Sequence, residues 1–163
     1  MTLSFSTQIN GKPNWFIEKV WKGLLENKIC SKSEYLDFLS NDDYEANWAI
    51  PPFEIMPKIH TIREDKNNRW KASNTIHPVI NNRTPNRFQF APEFKCISTQ
   101  EIEICYSRSI GNDPITWIDG RHIYLPEIYK LAVNDGFEDT FEFFNYFNHD
   151  FIGKIIHFTD LKY

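Results

Sequence analysis

The stretch from residue 57 to residue 70 concentrates the side chains of this chain that could do chemistry. A half-buried strand usually alternates apolar residues with unreactive polar ones. Here the polar positions supply a hydroxyl, two groups that can carry a proton, a guanidinium and two carboxylates, and this set predicts a functional site. The residues are Lys58, His60, Thr61, Arg63, Glu64 and Asp65, and they alternate with Ile59 and Ile62.

The residue types fit amide hydrolysis, which needs a nucleophile, a base and donors for the developing oxyanion. Thr61 could attack, and Lys58 could act as the base if burial lowers its pKa. Arg63 could hold a carbonyl or anionic oxygen, and His60 borders the set. Residues three apart in a regular strand face opposite sides. Lys58 and Thr61 can therefore meet only across a bulge or turn, or if Lys58 precedes the strand, which Pro57 favours.

A less specific interpretation stays open for each of these residues. Thr61 could be an ordinary strand threonine and Lys58 a solvated lysine. Arg63 could form a surface ion pair with Glu64 or Asp65, and such pairs contribute little to stability.

A cluster of cations and one aromatic ring follows directly, at Arg69, Trp70 and Lys71, with Lys66 nearby. Such a cluster can hold a single-stranded nucleic acid through phosphate contacts and base stacking. The alternatives are a solvated basic loop and a tryptophan that belongs to the core.

Composition limits the classes of protein that fit. The 163 residues suit a single domain, residues 1–163, and 41% of them are hydrophobic, which argues against disorder. The net charge of −4 argues against a domain that grips a long nucleic acid by charge alone, although a local basic patch remains open.

Targeting and metal signals are absent from the pattern. The three cysteines form no CxxC pair, so we expect free thiols in a reducing compartment. No secretory signal or membrane-length apolar run is present, so we expect a cytoplasmic protein with no membrane partner. The five histidines show no metal-ligand spacing, and there is no phosphate-binding or dinucleotide fingerprint. We therefore expect neither a metal nor a cofactor.

The periodicities predict an α+β domain with several antiparallel strands. Helices are expected from Pro13 and Asn14 to Leu25, from Ser31 to Leu39, from Pro126 to Val133 with Gly136 ending it, and from Asp139 onward with Phe141, Phe144 and Phe147 or Phe143 facing the core. Strands are expected near residues 3–6, 58–65, within 69–80 (a short strand that ends near Pro78), 88–90, 95–106 (with a bulge, anchored by Ile97, Ile102 and Ile104), 115–124 (a hairpin turning at Asp119-Gly120) and 153–158.

The order of several short motifs resembles the ASCH domains, a branch of the PUA-like superfamily. The matching pieces run along nearly the whole chain, except for residues 27–56, a probable helical insertion, and the loop at 81–94. They are the strand and helix at 3–26, Lys58-x-x-Thr61-Ile62-Arg63, Arg69-Trp70-Lys71, Ile102-x-Ile104, Leu131-Ala132 with Asn134-Asp135-Gly136-Phe137, and Gly153-Lys154-Ile155-Ile156-His157-Phe158-Thr159.

The resemblance implies a small PUA-like β-barrel of mixed or antiparallel strands with flanking helices and a cleft beside it. Some small ASCH proteins resemble amidohydrolases that act on N4-acetylcytidine, with a lysine, a threonine three residues later and a later carboxylate. Lys58 and Thr61 match the first two, and Asp135 stands where the resemblance implies a glutamate. It thus implies a catalytic set of Lys58, Thr61 and Asp135. From their types and positions, we expect Arg63, His60, Arg69, Trp70 and Lys71 to contact the RNA or nucleoside.

Two further function classes stay open. One is a non-catalytic RNA-binding module, since other ASCH domains are thought to bind RNA and a few look like nucleases. The other is an interaction protein whose aromatic segment, residues 35–53, contacts a protein partner or makes a homodimer. Fold alone does not choose among these classes.

Overall fold

A computed structural model describes residues 1–40, 54–106 and 113–163 of the chain. The described residues form an α+β structure, which confirms the predicted class. Its elements, in chain order, are β1 (Thr2–Ser4), β2 (Gln8–Ile9), β3 (Lys12–Pro13), α1 (Phe16–Glu26), α2 (Lys32–Leu39), β4 (His60–Arg63), β5 (Thr75–Ile80), β6 (Phe88–Gln89), β7 (Phe94–Lys95), β8 (Ser98–Tyr106), β9 (Pro114–Ile118), β10 (Arg121–Ile123), α3 (Leu125–Asn134), α4 (Thr140–Tyr146) and β11 (Phe151–His157).

The largest sheet has five antiparallel strands in the order β10-β9-β8-β11-β4. The last strand of the chain therefore lies inside the sheet, and β4 is left at one edge. A second sheet pairs β1 in parallel with β5, which also pairs with β6 and β7, while β2 and β3 form a small hairpin. The described strands form separate sheets and no closed barrel, so the PUA-like barrel is not confirmed.

Helix α1 packs against the core through the apolar stripe that its sequence predicts. Phe16, Val20, Trp21 and Leu24 are all buried. The helix begins at Phe16 and not at Pro13 or Asn14, because Pro13 belongs to β3 and Trp15 adopts a left-handed conformation with φ of 57°. The Lys19 side chain lies on the same buried side of α1.

Several local signals produce the structure they predict. Ser31 and Glu34 form the capping box of α2. Asp139 caps α4 by accepting a hydrogen bond from the Glu142 N–H. The β9–β10 hairpin turns at Asp119-Gly120, where both φ angles are positive, as a type I′ turn requires.

Other local predictions are wrong. β5 continues through Pro78 to Ile80, and the predicted strand over 95–106 divides into β7 and a β8 whose register with both neighbours is unbroken. Ile97 falls between them and is exposed, so Cys96 fills the core position instead. The Phe141 ring of α4 is 75% exposed because the helix turns Phe143 and Phe147 inward.

The predicted insertion is described only in part. Tyr35 and Phe38 of α2 pack against the Trp21 ring, at centroid distances of 5.1 and 5.4 Å. Residues 41–53, with the rest of the proposed partner-binding aromatics, lie outside the described residues.

Candidate functional site

The end of α3 meets the start of β4 at the candidate site. The Ile59 N–H donates to the Asn134 carbonyl at 3.0 Å, and the Lys58 N–H donates to the Lys19 carbonyl of α1 at 2.8 Å. Lys58 thus lies before β4, held between two helices. This is the second of the two arrangements that would let Lys58 and Thr61 approach each other.

Lys58 and Asp135 form a buried ion pair. The Lys58 Nζ lies 2.5 Å from Asp135 Oδ1, and the two residues are only 1% and 4% exposed. The ammonium also donates to the backbone carbonyl of Asp135. Oδ1 accepts a further hydrogen bond, from the Ile62 N–H at 3.2 Å, on the side of β4 that none of the described strands covers. Asp135 therefore joins α3 to the open edge of β4.

A second buried lysine caps the same helix end. The Lys19 Nζ donates to the Gly136 carbonyl at 2.7 Å. Cations are favoured at a helix C-terminus because the unpaired carbonyls carry partial negative charge. Gly136 has a φ of +92°, and a methyl group there would lie 3.0 Å from the Phe16 ring and 3.2 Å from Lys58 Cδ. A side chain at this position would displace the lysine.

Burial pushes both members of the ion pair toward their neutral forms. It lowers the pKa of Lys58 to about 8, although the Asp135 carboxylate opposes the shift. It also raises the pKa of Asp135, against the opposing effect of Lys58. The charged and neutral states of the lysine are therefore closer in free energy than in water, as a group that exchanges protons near neutral pH requires.

Thr61 lies next to this pair along the backbone. The Ile62 N–H that binds Asp135 belongs to the peptide that joins Thr61 to Ile62. Thr61 itself is 3% exposed and faces Ile156 of β11. Its hydroxyl makes no hydrogen bond to Lys58 or Asp135, so the structure brings together two members of the predicted triad, and the third is linked to them only through the neighbouring backbone N–H.

Arg63 is fixed on the same side of β4 as Thr61. Its Nη2 donates to the Ser4 carbonyl at 2.7 Å, and its guanidinium lies 5.4 Å from the Phe5 ring centroid. The charge is close enough to lower the pKa values of both Lys58 and Asp135. The Arg63 Nε–H is buried and has no hydrogen-bond partner among the described residues, so one donor is left for an oxygen atom.

His60 points away from this set, because alternate strand residues face opposite sides. It is fully buried, its ring lies 5.6 Å from that of His157, and its Nδ1 lies 3.3 Å from the Tyr163 hydroxyl. Burial lowers the pKa of His60 well below its usual value. The residue therefore belongs to an internal polar cluster and not to the surface beside Lys58.

The turn that contains the basic cluster at 69–71 places its members in different environments. The Asp65 carboxylate accepts hydrogen bonds from the Arg69 N–H at 3.0 Å and the Trp70 N–H at 2.8 Å. Trp70 is buried in the core and offers no open face for stacking. Arg69 and Lys71 remain exposed, so of residues 69–71 only these two cations are placed to contact a phosphate.

Two described hollows lie elsewhere on the surface. A pocket of about 480 Å³ is lined by Lys19, Tyr129, Gly136 and Phe137 among others, and one of about 720 Å³ lies at the opposite end of α3. Neither is lined by Lys58, Thr61 or Asp135. The candidate groups lie beneath the surface, with Lys19 and Gly136 between them and the smaller pocket.

The residue pattern alone did not predict a role for Lys19 or for the Ile62 N–H. A signal for Lys19 exists, because it stands three residues after Phe16 and four before Gly23, on the buried side of α1. The Ile62 contact carries no sequence signal, since it depends on which edge of β4 stays open.

Within the described ranges, no group of three or more histidine, cysteine or acidic side chains is arranged to hold a metal ion. None of the helices described is long and apolar enough to cross a membrane. The three cysteines are free thiols.

No family model, no curated protein and no solved structure matches this chain. The resemblance to ASCH domains is tested by none of these comparisons and stays a prediction.

Proposed function

We propose that this chain is an ASCH-like domain that binds a nucleoside-type ligand and hydrolyses an amide on it, such as the acetamide of N4-acetylcytidine. The observation that carries the proposal is the buried Lys58–Asp135 pair, 2.5 Å apart, with the lysine pKa at about 8. Thr61 follows Lys58 in the sequence with two residues between them. Strongly perturbed pKa values at a specific charge pair are typical of functional sites.

In the proposed reaction, neutral Lys58 takes the proton of the Thr61 hydroxyl, whose oxygen attacks the amide carbonyl carbon. The carbonyl oxygen becomes an oxyanion, which the unpartnered Arg63 Nε–H is available to bind. The carbon–nitrogen bond then breaks as the lysine ammonium returns the proton to the leaving amine. Water hydrolyses the resulting threonine ester by the same route, releasing acetate.

Asp135 has a positioning part in this scheme. Its carboxylate is fixed by the Ile62 N–H and holds the Lys58 ammonium in one direction. Because all three proposed catalytic residues are at most 4% exposed, substrate entry requires a local opening that uncovers Thr61.

A non-catalytic RNA-binding function is the second candidate, and the exposed cations favour it. Lys66, Arg69 and Lys71 project from the same turn, and Arg83 and Arg87 are exposed in the polar loop. Phosphate contacts release counterions, so RNA affinity should fall steeply as salt rises. An interaction that is absent or insensitive to salt contradicts this candidate.

The enzyme proposal is tested by incubating the protein with N4-acetylcytidine and measuring cytidine by chromatography. The informative pair is Thr61→Val and Thr99→Val, because both threonines lie opposite Ile156, one on each neighbouring strand. We expect Thr61→Val to abolish turnover and Thr99→Val to retain it. No turnover by the wild type, or equal turnover by both variants, overturns the proposal.

A further inference from the structure

The larger pocket, of about 720 Å³, lies far from the site just described. It is formed where the β9–β10 hairpin meets the start of α3 and the face of α4. It lies at the β10 edge of the five-stranded sheet, whereas Lys58 adjoins the β4 edge. Of α3, Leu125 and Ile128 line the pocket, whereas Asp135 follows Asn134 at the other end of the helix. Its volume is typical of small-molecule sites, which measure roughly 300–1,000 Å³.

Aromatic rings dominate the wall of this pocket. They belong to Tyr106, His122, Tyr124, Phe141 and Phe144. Tyr124 is 65% exposed and Phe141 is 75% exposed. The His122 and Tyr124 rings pack together at a centroid distance of 4.4 Å, whereas the Phe141 ring has no aromatic neighbour in the described part of the chain. Exposed apolar surface that is gathered in one hollow typically marks a binding site.

The polar groups at the rim favour a ligand that forms hydrogen bonds in its own plane. The Asn145 side chain of α4 is exposed, and no hydrogen bond within the described chain engages its amide. A free carboxamide offers both a donor and an acceptor, the pair of groups that an edge of a nucleobase presents in return. An aliphatic ligand without polar atoms would form no hydrogen bond with the Asn145 carboxamide.

The charge of the described lining favours an uncharged ligand over an anionic one. Among the described residues that line the pocket there is no lysine or arginine, and Asp113 contributes a carboxylate. A phosphate group beside Asp113 would meet repulsion, and no cation of the described lining would compensate it. The described lining therefore favours a nucleoside or free base over the corresponding nucleotide.

We propose that this pocket binds an uncharged planar heteroaromatic ring of the nucleobase or nucleoside class, stacked on the Tyr124 and Phe141 rings and hydrogen-bonded by Asn145. Stacking of a base on an aromatic side chain is sequence-tolerant, because every base presents a π-face. The site is independent of the proposed amide hydrolysis, since it shares no residue with the Lys58 site.

The test uses the full chain and adenosine as the probe, with affinity measured by isothermal titration calorimetry. Adenosine 5′-monophosphate supplies the charged analogue and cyclohexanol the aliphatic one. We expect adenosine to bind at least tenfold more tightly than either. Equal affinity for adenosine and cyclohexanol, tighter binding of the monophosphate, or no binding of adenosine overturns the proposal.

Variants locate the bound probe. Tyr124→Ala and Phe141→Ala alter exposed side chains, and each should weaken adenosine binding about tenfold or more. Tyr129→Ala is the matched control, because Tyr129 is an exposed tyrosine of α3 that lines the smaller pocket and not this one. Binding that survives both pocket substitutions, or that is lost only in Tyr129→Ala, contradicts the assignment. Thr61→Val should bind adenosine normally, which separates this result from any loss of amide hydrolysis.

Discussion

At the scale of single residues, the chemistry depends on the balance between burial and charge at Lys58. Desolvation favours the neutral amine, while Asp135 favours the ammonium. A carboxylate 2.5 Å away limits how far the pKa can fall, and the result lies near 8. If the carboxylate is removed and the lysine stays buried, desolvation should therefore lower the pKa of Lys58 further.

This balance predicts the pH dependence of amide hydrolysis. Because Lys58 must be neutral to act as the base, kcat/KM should rise with pH to a plateau, with a midpoint near 8. Asp135→Asn keeps a hydrogen-bond acceptor but removes the charge, so the midpoint should move to lower pH. The measurement is kcat/KM for N4-acetylcytidine between pH 5.5 and 9.5 in both proteins. An unchanged midpoint in Asp135→Asn would show that Lys58 is not the titrating group.

At the scale of elements, the position of Lys58 depends on the close approach of α1 to the segment before β4. Gly23 lies on the face of α1 that meets this segment, and a methyl group there would lie 2.4 Å from the Lys58 carbonyl oxygen. The absence of a side chain at Gly23 therefore permits α1 to approach the backbone of residues 58 and 59.

Gly23→Ala tests this contact. Alanine favours a helix interior by about 1 kcal/mol over glycine, so propensity alone predicts stabilisation. We expect the opposite sign, with destabilisation of roughly 1–3 kcal/mol, because the methyl group must displace backbone atoms. Urea denaturation measures the change, and Lys22→Ala on the same helix is the control. A more stable Gly23→Ala protein contradicts the packing described here.

Local signals account for most of the elements that the sequence predicts correctly. The Ser31 and Asp139 caps and the Asp119-Gly120 turn each depend on a few neighbouring residues. The sheet order does not depend on neighbouring residues, because the placement of β11 between β8 and β4 is set by pairing between residues far apart in the chain. The residue pattern likewise supplies Lys58 and Thr61, while the family resemblance supplied Asp135, which lies 77 positions from Lys58.

At the scale of the whole molecule, a buried polar cluster connects strands β4 and β11 to the end of α3. His60 and His157 face each other across β4 and β11, and Tyr163 packs against both rings. Gln100 Oε1 lies 3.1 Å from His157 Nε2 and accepts the Tyr163 N–H at 2.9 Å. The Asn134 side chain donates to the Tyr163 hydroxyl at 2.7 Å, which connects the cluster to the end of α3.

The two histidines predict a loss of stability in acid. Burial lowers the pKa of His157 to about 4 and that of His60 also, so between about pH 6.5 and 4 the folded state binds fewer protons than the unfolded state. Lowering the pH through this window therefore favours unfolding, by up to about 1.4 kcal/mol per pH unit for each histidine. The raised pKa of Asp135 acts in the opposite direction, so the contribution is best isolated by comparison.

The comparison is between wild type and His157→Gln, with Tm measured from pH 7 to pH 4. The wild-type Tm should fall more steeply, because the variant lacks one of the two groups that gain a proton on unfolding. His149→Gln, at an exposed histidine, should follow the wild-type curve. Parallel curves for wild type and His157→Gln would contradict the assignment of acid sensitivity to this cluster.

We propose that Lys58 exchanges protons as well as capping α3, and the chain contains a second lysine that separates the two roles. Lys58 and Lys19 are both buried and both donate to carbonyls at the end of the same helix, but of the two only Lys58 pairs with Asp135. The decisive measurement is N4-acetylcytidine turnover by Lys58→Met and Lys19→Met, expressed per folded molecule from the unfolding curve of each variant. The account predicts a loss of at least about 100-fold in Lys58→Met and near wild-type turnover in Lys19→Met. Equal losses in the two variants, or turnover that survives in Lys58→Met, would contradict it.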